Sequence, residues 1–256
     1  MPVRAIWKGM IHFGEHTIPV KLYTAVREQR IQFHLLHESD EIRLHQQMVC
    51  AYEHIPVPLE EQVRGFEVED GKFVLINDEE LQQFEPEESR MIEVHEFVNT
   101  GDIDPVYFEK AYYLGPDSLP KEYSIFTDAL SRAGMEGICT WTMRKRTYLG
   151  SLRTRGGIVR LTRLRYADEV VAEASLGLNR VELSERELKV GSDLVRALTS
   201  RFRPEQFENE HEKKLREMID RKAAGEKISI LRPKKKRATA PDRLLETLEA
   251  SLKKVG

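Results

Sequence analysis

The residues of this chain best suited to chemistry are basic side chains concentrated between Trp141 and Arg165. This stretch, WTMRKRTYLGSLRTRGGIVRLTRLR, contains no acidic residue. Its basic residues are Arg144, Lys145, Arg146, Arg153, Arg155, Arg160, Arg163 and Arg165. Arginine presents a planar fork of N–H donors that matches phosphate, and it stays charged at any relevant pH. The chemistry that this favours is the binding of a polyanion, and DNA is the commonest polyanion in a cell.

Apolar residues alternate with these charges on either side of Gly156-Gly157. Two strand-like runs that flank a glycine pair predict a β-hairpin. Val159 and Leu161 share a strand face with Arg163, so this face changes from apolar to basic midway along the strand. We therefore expect residues 158–166 to leave one environment for another, such as a dimer seam. The alternative is that the basic run is a solvated strand face or pairs with acids elsewhere in the chain.

The overall net charge of −3 conceals a strong segregation of charge along the chain. Residues 38–109 contain twenty acids and four bases, whereas residues 211–256 contain fourteen bases and seven acids. Charge that is segregated in this way implies an electrostatic field with a preferred direction around the protein. The acidic segment could face away from a bound polyanion and repel wrong docking modes, or serve solubility alone.

No catalytic motif accompanies the basic stretch. The sequence lacks GxxxxGK[ST], HExxH and GxSxG, and no GxGxxG follows a predicted strand. His34, His37, His45 and Cys50 are closely spaced but match no compact zinc pattern. We therefore expect neither an enzyme nor a metal or cofactor, and half-buried strand histidines are the favoured interpretation.

Two cysteines are too few for a disulfide framework. The first twenty residues contain no apolar run of signal-peptide length, and no later run could span a bilayer. The expected location is the cytoplasm.

Many short predicted strands and few helices favour a β-barrel or sandwich-like core. They include residues 3–23 as two strands, 31–37 as a third and 63–76 as a hairpin, and residues 124–132 follow as an amphipathic helix. Ser184 then opens a helical region with a capping box.

The carboxy-terminal residues predict a linker and a last helix. Residues 232–241 are basic and flanked by proline, and they offer a mobile phosphate contact through Lys234, Lys235, Lys236 and Arg237. Residues 242–254 place Leu244, Leu245, Leu248 and Leu252 on one helical stripe. Because so short a helix is marginal alone, we expect it to dock on this chain or on a partner.

Five stretches, in order along the chain, resemble the prokaryotic Ku family of DNA-end-binding proteins. They are WKGMIHFGEHTIPVKLY (7–23), VRGFEVEDGKFV (63–74), IDPVYFEKAYYLGPD (103–117), LRTRGGIVRLTRLRYADEV (152–170) and ENEHEKKLREMIDRKAAGEK (208–227). Some members of the family have cysteine pairs near the position of Cys50, which has no near partner here, so the resemblance implies no zinc.

The resemblance implies a mainly β fold with some α: a β-barrel with a projecting β-ribbon, followed by carboxy-terminal helices. Two copies would join their ribbons into a ring through which a double-stranded DNA end threads, and the homodimer would recruit an ATP-dependent end-joining DNA ligase in the repair of double-strand breaks. The expected divisions are a core at 1–183 with its ribbon at about 141–170, a helical segment at 184–230, and the linker and last helix at 231–256. The expected site residues are the eight basic residues of the central stretch together with 234–237. The alternative function is a protein–protein scaffold with no preference for DNA ends.

Overall fold

The computed structural model describes residues 4–87, 89–178 and 182–226. They form two compact units. The first comprises the chain up to Gln29 and His34–Glu173, and the second comprises Arg30–Phe33 and the described residues from Ala174 onward. The boundary between compact units thus lies at 173/174, and the division predicted at 183/184 stays a prediction.

The core of the first unit is a closed barrel. Its strands are β1 (Trp7–Phe13), β2 (His16–Thr24), β5 (Met91–Asn99), β6 (Phe108–Pro116), β7 (Met135–Met143), β8 (Arg146–Arg155) and β9 (Ile158–Leu164). Their order around the barrel is β1-β2-β6-β9-β8-β7-β5. The neighbours pair antiparallel except β5 and β1, which close the barrel as a parallel pair at Met10 and Met91. The barrel core and the β8–β9 hairpin predicted from the sequence are confirmed.

Alternation is clearest along β2, where Ile18, Val20 and Leu22 are buried and alternate with less buried residues. Leu22 has no exposed surface, and neither have Leu114, Leu152 and Leu161 on other strands. Burying one such side chain stabilises a fold by about 2 kcal/mol. At Gly150, a Cβ would lie 2.4 Å from the Trp141 ring, so this close contact requires glycine.

Helix α2 (Pro120–Ala133) completes the core. It buries Tyr123, Phe126 and Leu130 against the strands, and Gly134 ends it in the left-handed conformation at φ 66°. The Tyr123 hydroxyl donates a hydrogen bond to the Leu114 carbonyl and accepts one from the Val159 amide at 2.9 Å. The helix is therefore fixed to β6 and β9 by polar contacts as well as packing.

The segment between β2 and β5 contains a separate two-stranded sheet, β3 (Arg64–Glu69) and β4 (Lys72–Ile76), and helix α1 (Asp78–Gln83). Gly71, at φ 72°, makes the turn between the two strands. Asn77 caps α1 with a capping box. This hairpin, confirmed as predicted, lies outside the barrel sheet.

The second unit contains helices α3 (Glu185–Ala197) and α4 (Glu210–Ala223). Ser184 caps α3 with the predicted capping box, and Asn209 caps α4. The Ile31 amide donates to the Glu212 carboxylate at 3.3 Å, which joins Arg30–Phe33 to α4.

Two expectations about the basic stretch are wrong. The prediction of a projecting ribbon at about 141–170 fails, because β7, β8 and β9 are barrel strands paired on both sides. The separate ribbon-like element is instead the hairpin of β3 and β4. The dimer-seam hypothesis for 158–166 also fails, because β9 packs within one chain and buries Val159 and Leu161 in its core.

Arg163 is accommodated by contacts within the chain. Its guanidinium lies 4.6 Å from the centre of the Tyr148 ring, and its Nε lies 2.9 Å from the Glu109 carboxylate. The strand expected at 31–37 is absent from the described residues, where Leu36 makes only an isolated bridge with Arg43.

Candidate DNA-binding surface

A row of aromatic and basic side chains crosses four strands on the outer face of the barrel. The strand registers place Tyr23 opposite Tyr113, Tyr113 opposite Arg160, and Arg160 opposite Arg153. Their neighbours along the chain, such as Leu22, Leu114, Val159 and Leu152, are buried in the core. Because side chains alternate between strand faces, this outer row points away from the core. The Arg160 guanidinium lies 5.9 Å from the centre of the Tyr113 ring.

Three arginines meet in a cavity of about 200 Å³ at the end of this row. The arginine cavity is lined by Arg153, Arg155, Arg160, Ser151, Thr162, Glu136 and Phe108. Glu136 is only 1% exposed, and it accepts hydrogen bonds from the Gly101 amide at 3.3 Å and the Ser151 hydroxyl at 3.1 Å. The cavity therefore combines three guanidinium groups with one buried carboxylate.

The arginines of this cavity have no carboxylate within 4.0 Å among the described residues. The buried Nε of Arg160 also has no hydrogen-bond partner there. Like charges placed directly opposite one another, as Arg153 and Arg160 are, repel. An anion in the cavity would relieve this repulsion, and a phosphate oxygen is the acceptor that the arginine fork suits best.

The other predicted basic residues have different surroundings. Lys145 pairs with Glu85 at 2.8 Å, and Arg163 pairs with Glu109. Arg165 donates to the carbonyl oxygens of Val106 and Phe108, both at 2.8 Å, and so holds the turn before β6. Arg144 and Arg146 are exposed at the β7–β8 turn, with no ion pair among the described residues. The eight residues thus do not form one surface.

The remaining predicted site residues, 234–237 and the leucines at 244, 245, 248 and 252, lie outside the described residues.

Two lysines extend the basic character of the outer face across β2 and β1. Lys21 and Lys8 are opposite one another, and both pair with Asp117. The hydrogen bond between Lys21 and Asp117 raises the pKa of the lysine and lowers the pKa of the carboxyl group. This carboxylate is therefore neutralised within the protein.

Sequence reasoning missed Tyr23, Tyr113 and Glu136. Tyr112 and Tyr113 are adjacent, and the pattern alone does not say which of them faces outward. The register that sets Tyr113 beside Arg160 depends on a β-bulge between Phe108 and Ala111. Glu136 is one acid among many in the sequence, and only its burial distinguishes it.

The histidines near Cys50 have local partners. His37 Nδ1 lies 3.0 Å from the Asp40 carboxylate, and His34 Nδ1 lies 3.0 Å from an Arg43 nitrogen. In the described part of the chain, no group of three or more histidine, cysteine, aspartate or glutamate residues is arranged to hold a metal ion. Likewise, no described helix is long and apolar enough to cross a membrane.

A second surface lies on the hairpin of β3 and β4, which exposes apolar side chains on both faces. Phe66 opposes Val74 on one face, and Phe73 and Leu75 occupy the other. Phe66 is 64% exposed and Phe73 59% exposed. A two-stranded hairpin without a covered face is marginal alone, so this element favours a partner surface.

Comparison with known proteins gives the family. The model of the Ku70/Ku80 beta-barrel domain matches residues 12–190. The "Non-homologous end joining protein Ku 2" of Geotalea uraniireducens (strain Rf4) is 58% identical over 98% of both chains. The "Non-homologous end joining protein Ku" of Anaeromyxobacter sp. (strain K) is 41% identical over 88% of this chain and 77% of its own length. The protein of that name from Heliobacterium modesticaldum is 34% identical, over 100% of this chain and 93% of its own. This chain, with its closed barrel and its separate hairpin, belongs to the Ku family.

Proposed function

We propose that this protein binds double-stranded DNA ends without sequence preference and acts in non-homologous end joining. The observation that carries the proposal is the arginine cavity on the outer face of the barrel, whose three guanidinium groups have no carboxylate partner among the described residues. The relatives named for end joining support it, since they match along nearly the whole chain.

The chemistry of the cavity suits a phosphate backbone rather than base edges. Phosphate contacts fix a protein on a duplex but carry no sequence information directly. A protein that must accept any broken end needs this kind of contact. Arg153, Arg155 and Arg160 supply it, and Ser151 and Thr162 add hydroxyl groups at the cavity wall.

We propose further that two copies form a ring around the duplex. The support is the β3–β4 hairpin, whose exposed Phe66 and Phe73 would be covered by a second copy. In this arrangement the hairpins close the ring, and the arginine cavities line the duplex. Because a closed ring can be entered only at a free end, the assembly would select ends by topology instead of by recognising the terminal base pair.

The joining chemistry would come from a partner, an ATP-dependent end-joining ligase that the DNA-bound dimer recruits. The protein itself would hold the end and catalyse nothing, and it would work at the nucleoid in the cytoplasm. Residues 234–237 would add phosphate contacts, and the leucine stripe at 244–252 would meet the partner.

The test compares one duplex sequence as a linear fragment and as a covalently closed circle, each titrated with protein in a gel shift. The proposal expects complexes on the linear form alone, and it expects those complexes to resist competitor DNA once both ends are blocked. Equal binding to both forms would show an open basic patch and overturn the ring. No binding to either would leave a protein–protein scaffold.

A further inference from the structure

A larger cavity lies beside the arginine cavity and has no role in the proposed duplex contacts. Its volume is about 830 Å³, within the range of small-molecule sites. The chain after β2 lines one side with Arg27 and Gln29, and β6 contributes Tyr113. The turn into β9 closes another side with Gly157 and Ile158.

The walls present flat aromatic surfaces. Tyr23 and Tyr113 are directly opposite one another on neighbouring strands. A Cβ on Gly115 would lie 3.2 Å from the Tyr23 ring, so this ring lies close to bare backbone. Tyr113 is 39% exposed and Ile158 47% exposed. These groups offer a ligand an apolar surface against which a planar ring can stack.

Among the residues that line the cavity, the charged side chain is that of Arg27, which is exposed. Glu28 is also exposed, but it does not line the cavity. Arg160 lies against the Tyr113 ring, and Arg155 is opposite Ile158. Asp117, which directly follows the lining residue Pro116, is already engaged by Lys8 and Lys21. A ligand that combines a planar ring with a negative charge fits this environment, and a nucleotide is such a ligand.

We propose that this cavity binds an unpaired nucleotide of a single-stranded overhang, while the adjacent duplex phosphates contact the arginine cavity. The inference rests on the proposed function and adds a binding site to it. The base stacks on Tyr113 and Tyr23, and Arg27 contacts the phosphate. Gln29 can both donate to and accept from a base edge. Because every base has a stacking face, the site tolerates any overhang sequence.

The experiment uses the full-length protein and a DNA duplex closed at one end by a hairpin loop. Its open end is blunt, carries a short thymidine overhang, or carries an overhang of abasic sites of equal length. Fluorescence anisotropy gives each affinity. The thymidine overhang is expected to bind roughly tenfold more tightly than the blunt end, the size of one base–aromatic stack. The abasic overhang, which keeps the phosphates, is expected to bind almost as weakly as the blunt end.

Variants assign the effect to the cavity. Tyr113→Ala is expected to abolish the overhang preference, measured as the ratio of the variant's own affinities for the thymidine and blunt ends, whereas Tyr113→Phe keeps the ring and the preference. Tyr166→Ala, at a tyrosine that is 44% exposed and does not line the cavity, is the matched control and keeps the preference.

Three results would overturn the inference. They are equal affinity for blunt and thymidine ends, equal affinity for thymidine and abasic overhangs, and displacement of the overhang by free thymidine monophosphate at the concentration of the overhang itself. The last result would identify a mononucleotide site. Failure of the wild-type protein to bind the blunt end would instead count against the proposed function.

Discussion

Arg153 and Arg160 are directly opposite one another across β8 and β9, on the outer face of the barrel. Like charges in this relationship destabilise a sheet, typically by a few tenths of a kcal/mol or more. The buried Glu136 carboxylate lines the same cavity as the two arginines. An external anion that binds both guanidinium groups would reduce their repulsion. This pair is therefore the first place to test the proposed DNA contact.

Replacing both Arg153 and Arg160 with alanine is expected to weaken binding to linear duplex and to flatten its salt dependence. Removing one phosphate interaction makes the log–log slope less negative by about 0.9. Anisotropy titrations over a range of salt concentrations measure the slope. Lys145→Ala is the control, since Lys145 pairs with Glu85 and should change the slope less. An unchanged slope in the double variant would exclude these arginines from the interface.

Glu136 is expected to limit the affinity of the arginine cavity, because its buried negative charge opposes an incoming phosphate. Glu136→Gln keeps a similar shape, since the amide can accept from the Gly101 N–H and donate to the Ser151 hydroxyl. Loss of one nearby charge should tighten DNA binding by roughly fivefold at low salt. Ser151→Ala removes a hydrogen bond but retains the charge, so it should not tighten binding. Equal affinity of Glu136→Gln and wild type would show that the carboxylate has no electrostatic influence on the site.

The fold and the site differ in how far sequence determines them. Alternation, turn glycines and caps predicted the β8–β9 hairpin, the hairpin outside the barrel and the Ser184 cap, because these features depend on residues close in sequence. The site depends on register between distant strands. Tyr23, Tyr113, Arg160 and Arg153 meet only because β2, β6, β9 and β8 are neighbours in the barrel. A run of basic residues in the sequence reveals positive charge. It does not show which of these side chains form ion pairs with Glu85 or Glu109, or donate hydrogen bonds to backbone carbonyls.

Arg165 illustrates that limit and gives a third prediction. Its guanidinium donates to the carbonyl oxygens of Val106 and Phe108, so Arg165→Ala should lower the free energy of unfolding. Hydrogen bonds from a charged donor contribute about 1.5–3 kcal/mol. Urea denaturation measures this loss. The salt slope of DNA binding should stay that of wild type, and a flatter slope with unchanged stability would assign Arg165 to the interface instead.

The exposed face of the separate hairpin gives a fourth prediction, on assembly. Phe66→Ser should convert a dimer into a monomer, because it removes a large apolar contact at the proposed seam. Light scattering after size-exclusion chromatography should give about twice the chain mass of 29.7 kDa for wild type and a single chain mass for the variant. Lys72→Ser, on the same hairpin, removes an exposed ion pair with Glu69 that is worth little and should remain dimeric. A wild-type protein of single-chain mass would contradict the ring itself.

The two cysteines should differ sharply in reactivity. Burial raises the pKa of the Cys139 thiol, which has no exposed surface and lies 3.4 Å from the Gly150 carbonyl oxygen. Backbone N–H groups of Glu53 and Tyr52 lower the pKa of Cys50, which is partly exposed. Because the thiolate is the reactive form, a disulfide reagent near neutral pH should modify one thiol in the native protein and both in denaturant. Cys50→Ser should remove the native reaction entirely. A native reaction that persists in this variant would mean that the barrel opens around β7 on the timescale of labelling, because Cys139 reacts only when its strand separates from β8.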